Sequence, residues 1–177
     1  VIPCYYKKDY PEWSDRGDGP GAPVAVHLPN SPVIATGKRD GSKIRLPNGN
    51  YLEETASYYV MVETKNGGYT PALITMKSTQ LNVSKKWNSM MKTIQIPDGQ
   101  GGFAIPPMHG VVYTLASTLQ KNDKGSWYGW VVTMDRILGQ SDKSLYSNAK
   151  DFRGNVAKGN VQTKADVEEK AKDSTPY

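Results

Sequence analysis

Ser57-Tyr-Tyr-Val-Met-Val-Glu63, then Thr64-Lys-Asn-Gly-Gly68, then Tyr69-Thr-Pro-Ala-Leu-Ile-Thr-Met76 is the stretch that decides how this chain folds. Two runs rich in β-branched and aromatic residues, which suit a pleated surface, flank an Asn-Gly pair. Tight hairpin turns need positive φ at their centre, and Asn-Gly supplies it. The passage predicts a β-hairpin over 57–76. Before it, Val33–Thr36 and Lys43–Leu46 are short strand candidates with Lys38-Arg-Asp-Gly41 as the turn between them, and 43–52 is the better first strand. After it the period changes. Val83, Trp87, Met90 and Ile94 recur at helical spacing, which predicts an amphipathic helix over 78–92 with Lys85, Lys86 and Lys92 away from its apolar stripe.

Further along, Pro97 to Gly110 reads as loop, without the glycine spacing of a phosphate cradle. Gly110–Leu119 and Trp127–Met134 read as two more strands joined by a polar loop over 120–126. Leu145, Ala149, Phe152 and Val156 mark a last helix over 141–158, with Ser141 as N-cap and Gly159 as terminator. Residues 1–32 hold Pro3, Pro11, Pro20, Pro23, Pro29 and Pro32, a density that reads as an irregular arm with one short strand, Val24–Leu28. Its Arg16-Gly17-Asp18 tripeptide is the kind that recurs by chance. The organisation expected is therefore a Pro/Gly-rich arm (1–32), a domain with a C-terminal helix (33–160) and a polar, flexible tail (161–177). Strand-strand-strand-helix-strand-strand is the element order of an OB-fold, so a mainly β, five-stranded OB-like barrel is expected, with a β-sandwich as its rival.

Composition removes several classes. The chain of 177 residues suits one domain with its own core. One cysteine allows no internal disulfide, and two histidines with it cannot fill a Cys/His zinc site. No apolar run approaches the length of a membrane span or a signal peptide, and the absence of a starting Met suggests that residues precede Val1. There are 22 Lys+Arg against 17 Asp+Glu, a net +5, with lysine far ahead of arginine. Lysine suits phosphate contact better than base-edge readout.

Catalytic groups are scarce. His27 and His109 lie in Pro-rich segments without a nucleophile motif and read as surface histidines. Cys4 reads as an inert thiol. Glu53 and Glu54 are adjacent on a strand and point to opposite faces. No catalytic site, metal or cofactor is expected. The aromatics are more suggestive, with 11 Tyr, 4 Trp and 2 Phe. Rings fall on both faces of 57–63 and 127–132, and one of those faces could stack bases. The stacking set expected is Tyr59, Tyr69, Tyr113, Trp127 and Tyr128, with Lys43, Arg45, Lys77, Lys85, Lys86, Lys121 and Lys124 as phosphate contacts. Gly129, between Tyr128 and Trp130, would permit a close approach.

Pro71-Ala-Leu-Ile-Thr-Met-Lys-Ser-Thr-Gln-Leu-Asn-Val-Ser-Lys-Lys-Trp-Asn-Ser-Met-Met91 and Asn122-Asp-Lys-Gly-Ser-Trp-Tyr-Gly-Trp130 resemble a family of small proteins of tailed bacteriophages and prophages. The likeness runs from about residue 50 to 158. Some members are thought to be single-stranded DNA-binding proteins of the replication or recombination module. The resemblance implies a non-catalytic protein in the cytoplasm of an infected bacterium, with single-stranded DNA and other phage replication or recombination proteins as partners and no membrane. The alternative is a structural or assembly protein that works through protein contacts. The polar tail is only weakly acidic, unlike the partner-recruiting tails of such DNA-binding proteins.

Overall fold

The structure, a computed structural model, describes residues 1–15, 22–123 and 125–161. In order along these residues come β1 (Ile2–Trp13), β2 (Ala25–His27), α1 (Pro32–Thr36), β3 (Lys38–Asp40), β4 (Lys43–Arg45), β5 (Tyr51–Glu53), β6 (Thr55–Glu63), β7 (Tyr69–Lys77), α2 (Leu81–Thr93), β8 (Ile96–Pro97), β9 (Phe103–Ala104), β10 (Val111–Asn122), β11 (Gly125–Ile137) and α3 (Lys143–Ala157). The chain is mainly β with a C-terminal helix. Its principal sheet is antiparallel throughout, in the order β3-β4-β5-β1-β6-β7, with β2 added to β1. The predicted hairpin is β6–β7, closed at Gly67, whose φ is +75°.

The N-terminal segment departs most from expectation. Residues 2–13 are a central strand, not an irregular arm. Its two prolines stand where a missing N–H does least harm. Pro3 adjoins a bulge: it faces Val60 while Tyr5 faces Tyr59, leaving Cys4 as the extra residue. Pro11 lies opposite the break between β5 and β6, because Glu12 pairs with Leu52 and Asp9 with Thr55 and the residues between make no ladder pair with that run. β5 and β6 thus act as one long neighbour of β1. The strand expected over 43–52 is a hairpin instead. Gly49, at φ +90°, and Pro47 force the turn between β4 and β5. Val33–Thr36 belongs to the short helix α1, begun by Pro32 at a position where proline is preorganised. The expected 120–126 loop is mostly strand, since pairing persists to Asn122 and Gly125. The Arg16-Gly17-Asp18 tripeptide and residues 162–177 lie outside the described residues.

The sheets are not closed into a barrel. Among the described residues, β10 and β11 pair only with each other. They meet the main sheet through the Val1 ammonium, which donates to the Tyr113 carbonyl at 2.6 Å, and the Tyr113 N–H, which donates to the Val1 carbonyl at 2.8 Å. Both faces of β6 are covered. On one, Ala56, Tyr58 and Val60 pack with Met76, with Trp87 and Met91 of α2, and with Val111 and Tyr113 of β10. Tyr58 stacks on Trp87 with ring centroids 4.3 Å apart, and its hydroxyl donates to the Ser84 carbonyl at 3.0 Å. On the other face, Met61 packs with Ile2, Cys4 and Val112 against Ala149, Leu145 and Phe152 of α3. Burial pushes the Cys4 thiol up to about 12, so it is held neutral and unreactive. A third cluster, Tyr10, Ile44, Leu46 and Leu52, is roofed by Val33 and Ile34 of α1. Beside it the buried Glu12 carboxylate accepts from Asn50 Nδ2 at 2.6 Å and Asn48 Nδ2 at 3.2 Å, and lies 2.7 Å from His27 Nε2. His27 is therefore a partnered histidine that fastens β2 to the sheet.

His109 also differs from its expected surface placement. It is buried in a short turn, its ring against Tyr146 of α3 at 5.0 Å, and neither nitrogen has a hydrogen-bond partner among the described residues. Desolvation lowers its pKa, and repulsion from Arg153 and Lys150 lowers it further.

This core generates three predictions. Trp87→Ala removes the ring shared by sheet, helix and hairpin and is expected to cost about 3–5 kcal/mol in urea unfolding. Gly154→Ala is expected to stabilise α3 by up to about 1 kcal/mol, since an added Cβ meets nothing within 4 Å. The third concerns pH. His109 is depressed in the folded state, so below its usual value of 6.5 the unfolded chain binds a proton that the folded chain resists. The stability it contributes is present above that value and is lost as pH falls toward the folded pKa. Urea midpoints at pH 8 and pH 5 should differ less in His109→Gln than in the wild type; an unchanged difference would refute the assignment.

Candidate functional site

The β10–β11 ribbon carries one apolar face along its whole length. Residues directly opposite in an antiparallel pair share a face. Tyr113 is opposite Met134, Leu115 opposite Val132, Ser117 opposite Trp130, and Leu119 opposite Tyr128. At the base, Tyr113, Leu115 and Val132 pack into the core. Beyond it the body stops and the face continues, leaving Leu119 60% and Tyr128 73% exposed, with Trp130 partly exposed beside them. Lys121, opposite Ser126, ends the same face.

The ribbon's other face is braced near its middle by Gln80. The Trp130 N–H donates to Gln80 Oε1 at 2.9 Å. A Cβ on Gly129 would come within 2.7 Å of the Gln80 and Gln120 amides, so the close approach expected at Gly129 is made by these two side chains. Between α2 and the ribbon lies a groove of about 240 Å³, lined by Val83, Lys86 and Met90 on one side and Gln120, Trp130, Val131 and Val132 on the other. Trp87 closes its floor. Lys86 is exposed at this groove and Lys85 is exposed on the same helix, and no ion pair among the described residues holds either of them or Lys121.

The expected stacking set is divided by this architecture. Tyr128 is on the open face. Trp127 is half-buried on the opposite side, near Ser78 and Thr79. Tyr113 is 1% exposed, and burial pushes its hydroxyl up to about 12, so its ring has no free face. Tyr59 is buried edge-on to Tyr5 at 6.1 Å. Tyr69 is half-buried against the α3 cluster, its hydroxyl raised by burial and by nearby Glu63. The cations are divided too. Lys43 lies 3.7 Å over the Tyr51 ring. Arg45 pairs with Asp15 at 3.2 Å and Asp40 at 3.5 Å, and Lys77 with Glu53 at 2.9 Å. Lys43 and Arg45 are on β4 and Lys77 ends β7, while Lys85, Lys86 and Lys121 belong to α2 and the ribbon. Lys124 lies outside the described residues. Leu119, Trp130 and Val131 lie within the two expected strands but outside the expected site residues. Period-2 apolar spacing carried on to Leu119 was the available signal. Glu53 and Glu54 engage different lysines, Lys77 and Lys8, as opposite faces require.

Among the described residues no three His, Cys, Asp or Glu side chains gather as a metal site, and no helix is long and apolar enough to cross a membrane. The resemblance to tailed-phage proteins has an independent counterpart, which identifies the chain as a bacteriophage protein. The family described as Pam3 phage gp34-like protein matches residues 1–162, and the chain belongs to that family. No curated protein and no solved structure matches it.

If the outer face of the ribbon is a surface and not part of the core, polar substitutions there should leave the fold intact. Leu119→Ser and Tyr128→Ser are each expected to change unfolding free energy by no more than about 0.5 kcal/mol. Thermal melts showing a loss of several kcal/mol for either would mean that the chain covers this face itself.

Proposed function

We propose that this Pam3 phage gp34-like chain is a non-catalytic phage assembly protein that makes protein–protein contacts through the outer face of the β10–β11 ribbon. One observation carries the reading: the apolar face that is core at the base of the ribbon continues uncovered to its far end. Contiguous exposed apolar surface marks interaction sites, and Tyr, Trp and Leu-bearing faces rimmed by charge suit protein interfaces. A two-stranded ribbon is marginal by itself, and both outer edges of this one lack a strand partner among the described residues beyond the Val1 bridge. A partner would supply the missing cover.

A second reading is sequence-tolerant single-stranded DNA binding in phage replication or recombination, in the cytoplasm of the host. It is favoured by the Tyr128 ring and Lys121 sharing one open face, where base stacking is worth roughly 1–3 kcal/mol per base. It has less support because Tyr59 and Tyr113 are enclosed and Arg45 and Lys77 are already paired.

Light scattering without DNA, alongside a labelled oligo-dT titration at two salt concentrations followed by Trp fluorescence, separates the two. Assembly predicts association without DNA that Tyr128→Glu weakens at least tenfold, and no salt-steep oligo-dT binding. A monomer that binds oligo-dT with an affinity falling sharply as salt rises would overturn it in favour of the second reading.

A further inference from the structure

The groove between α2 and the ribbon has a matching projection elsewhere on the same chain. β8 and β9 form a small hairpin of their own, pairing Ile96 with Ala104 and Pro97 with Phe103. Its turn is preorganised. Asp98 Oδ1 accepts from the Gln100 N–H at 2.8 Å and the Gly102 N–H at 2.9 Å, and the Asp98 N–H donates to the Gly102 carbonyl at 3.1 Å. Gly99 and Gly101, at φ +78° and +90°, take conformations other residues resist. This braced turn displays Phe103, 70% exposed, with Ile105, 59% exposed, close behind, and it carries the exposed carboxylate of Asp98. An apolar knob beside an acid is what an apolar groove with a lysine on its rim accepts. None of residues 94–106 lines the groove of its own chain.

We propose that the partner at the ribbon is a second copy of this chain, and that Phe103 of one copy inserts into the α2–ribbon groove of another, with Asp98 brought toward Lys86. This rests on the reading of the ribbon as a protein-contact face. The volumes agree, since an apolar cavity of about 150 Å³ holds a benzene ring and the groove measures about 240 Å³. The charges agree in sign. The contact joins two different patches, so it either closes a pair reciprocally or continues head to tail. A knob on a preorganised turn loses little freedom on docking.

The test uses the full chain in light scattering and sedimentation. The wild type is expected to form dimers or larger species. Phe103→Lys, which removes the knob, and Val131→Arg, which blocks the groove, are each expected to weaken association at least tenfold. Mixed one to one, they should re-form a dimer, because each retains the half that the other lacks. Lys86→Glu changes an exposed side chain outside the core, and a thermal melt matching the wild type separates its effect from misfolding; it too should weaken association. If Phe103→Lys associates as tightly as the wild type while Tyr128→Glu does not, the knob is refuted and the ribbon reading stands. If the mixture stays monomeric, the pairing of these two patches is refuted. A wild type that remains monomeric at its highest soluble concentration removes both.

Discussion

Seven consecutive residues of β6, Thr55 to Met61, are buried, and a strand enclosed on both faces must be covered twice. That constraint sets the layers. Tyr58 and its even-numbered neighbours call for one apolar cover, which α2 and the base of the ribbon provide. Met61 calls for a second, which α3 provides. The edges must be satisfied as well, since buried backbone groups need partners. β7 fills one edge and β1 the other, and β1 can do so only because its prolines fall at a bulge and opposite a strand break. Helices on both faces of an antiparallel sheet leave nothing for the ribbon to close onto, so no barrel forms.

The Tyr58–Trp87–Tyr113 ring cluster is where these demands meet. It joins the sheet to α2 at 4.3 Å and α2 to the ribbon at 5.6 Å. It holds only the first few residues of each ribbon strand. Strand alternation does not stop where the body stops, so the same face that begins with Tyr113 ends with Leu119 and Tyr128 in the open. The surface proposed for assembly is the continuation of the core. A ribbon anchored by one aromatic cluster and by Gln80 has a defined position, which suits an interface element better than a mobile loop would.

The parts legible in the sequence were those governed by local period. The β6–β7 hairpin followed from Asn66-Gly67 and its flanks, α2 from the spacing of Val83, Trp87 and Met90, and α3 from Leu145, Ala149 and Phe152. β1 was illegible because tolerance of Pro3 and Pro11 depends on Val60 and on the β5–β6 break, both about fifty residues away. The aromatics show the same limit. Tyr59 and Tyr128 have equivalent alternation and similar neighbours, yet one is buried and the other open. The difference lies in which long-range element arrives above each, and no local pattern encodes that. His109 was misplaced for the same reason, since its burial depends on Tyr146 of α3.

Net charge misleads in a similar way. A surplus of +5 suggests a polyanion partner, but arrangement decides what a cation can do. Lys7 lies 3.1 Å from Asp9, Lys8 3.2 Å from Glu54, and Arg45, Lys77 and Arg136 each meet a carboxylate. Exposed pairs of this kind add little stability, typically about 0–1 kcal/mol each. Their consequence here is to engage the lysines and arginines that a phosphate backbone would need. Of the cations left on α2, Lys86 stands at the rim of a largely apolar groove and not along a track of stacked rings. Charge in that position favours an acidic partner and steers its approach, while the apolar lining supplies the contact. A polymer bound by its phosphates would leave that lining unused, whereas a protein knob would fill it.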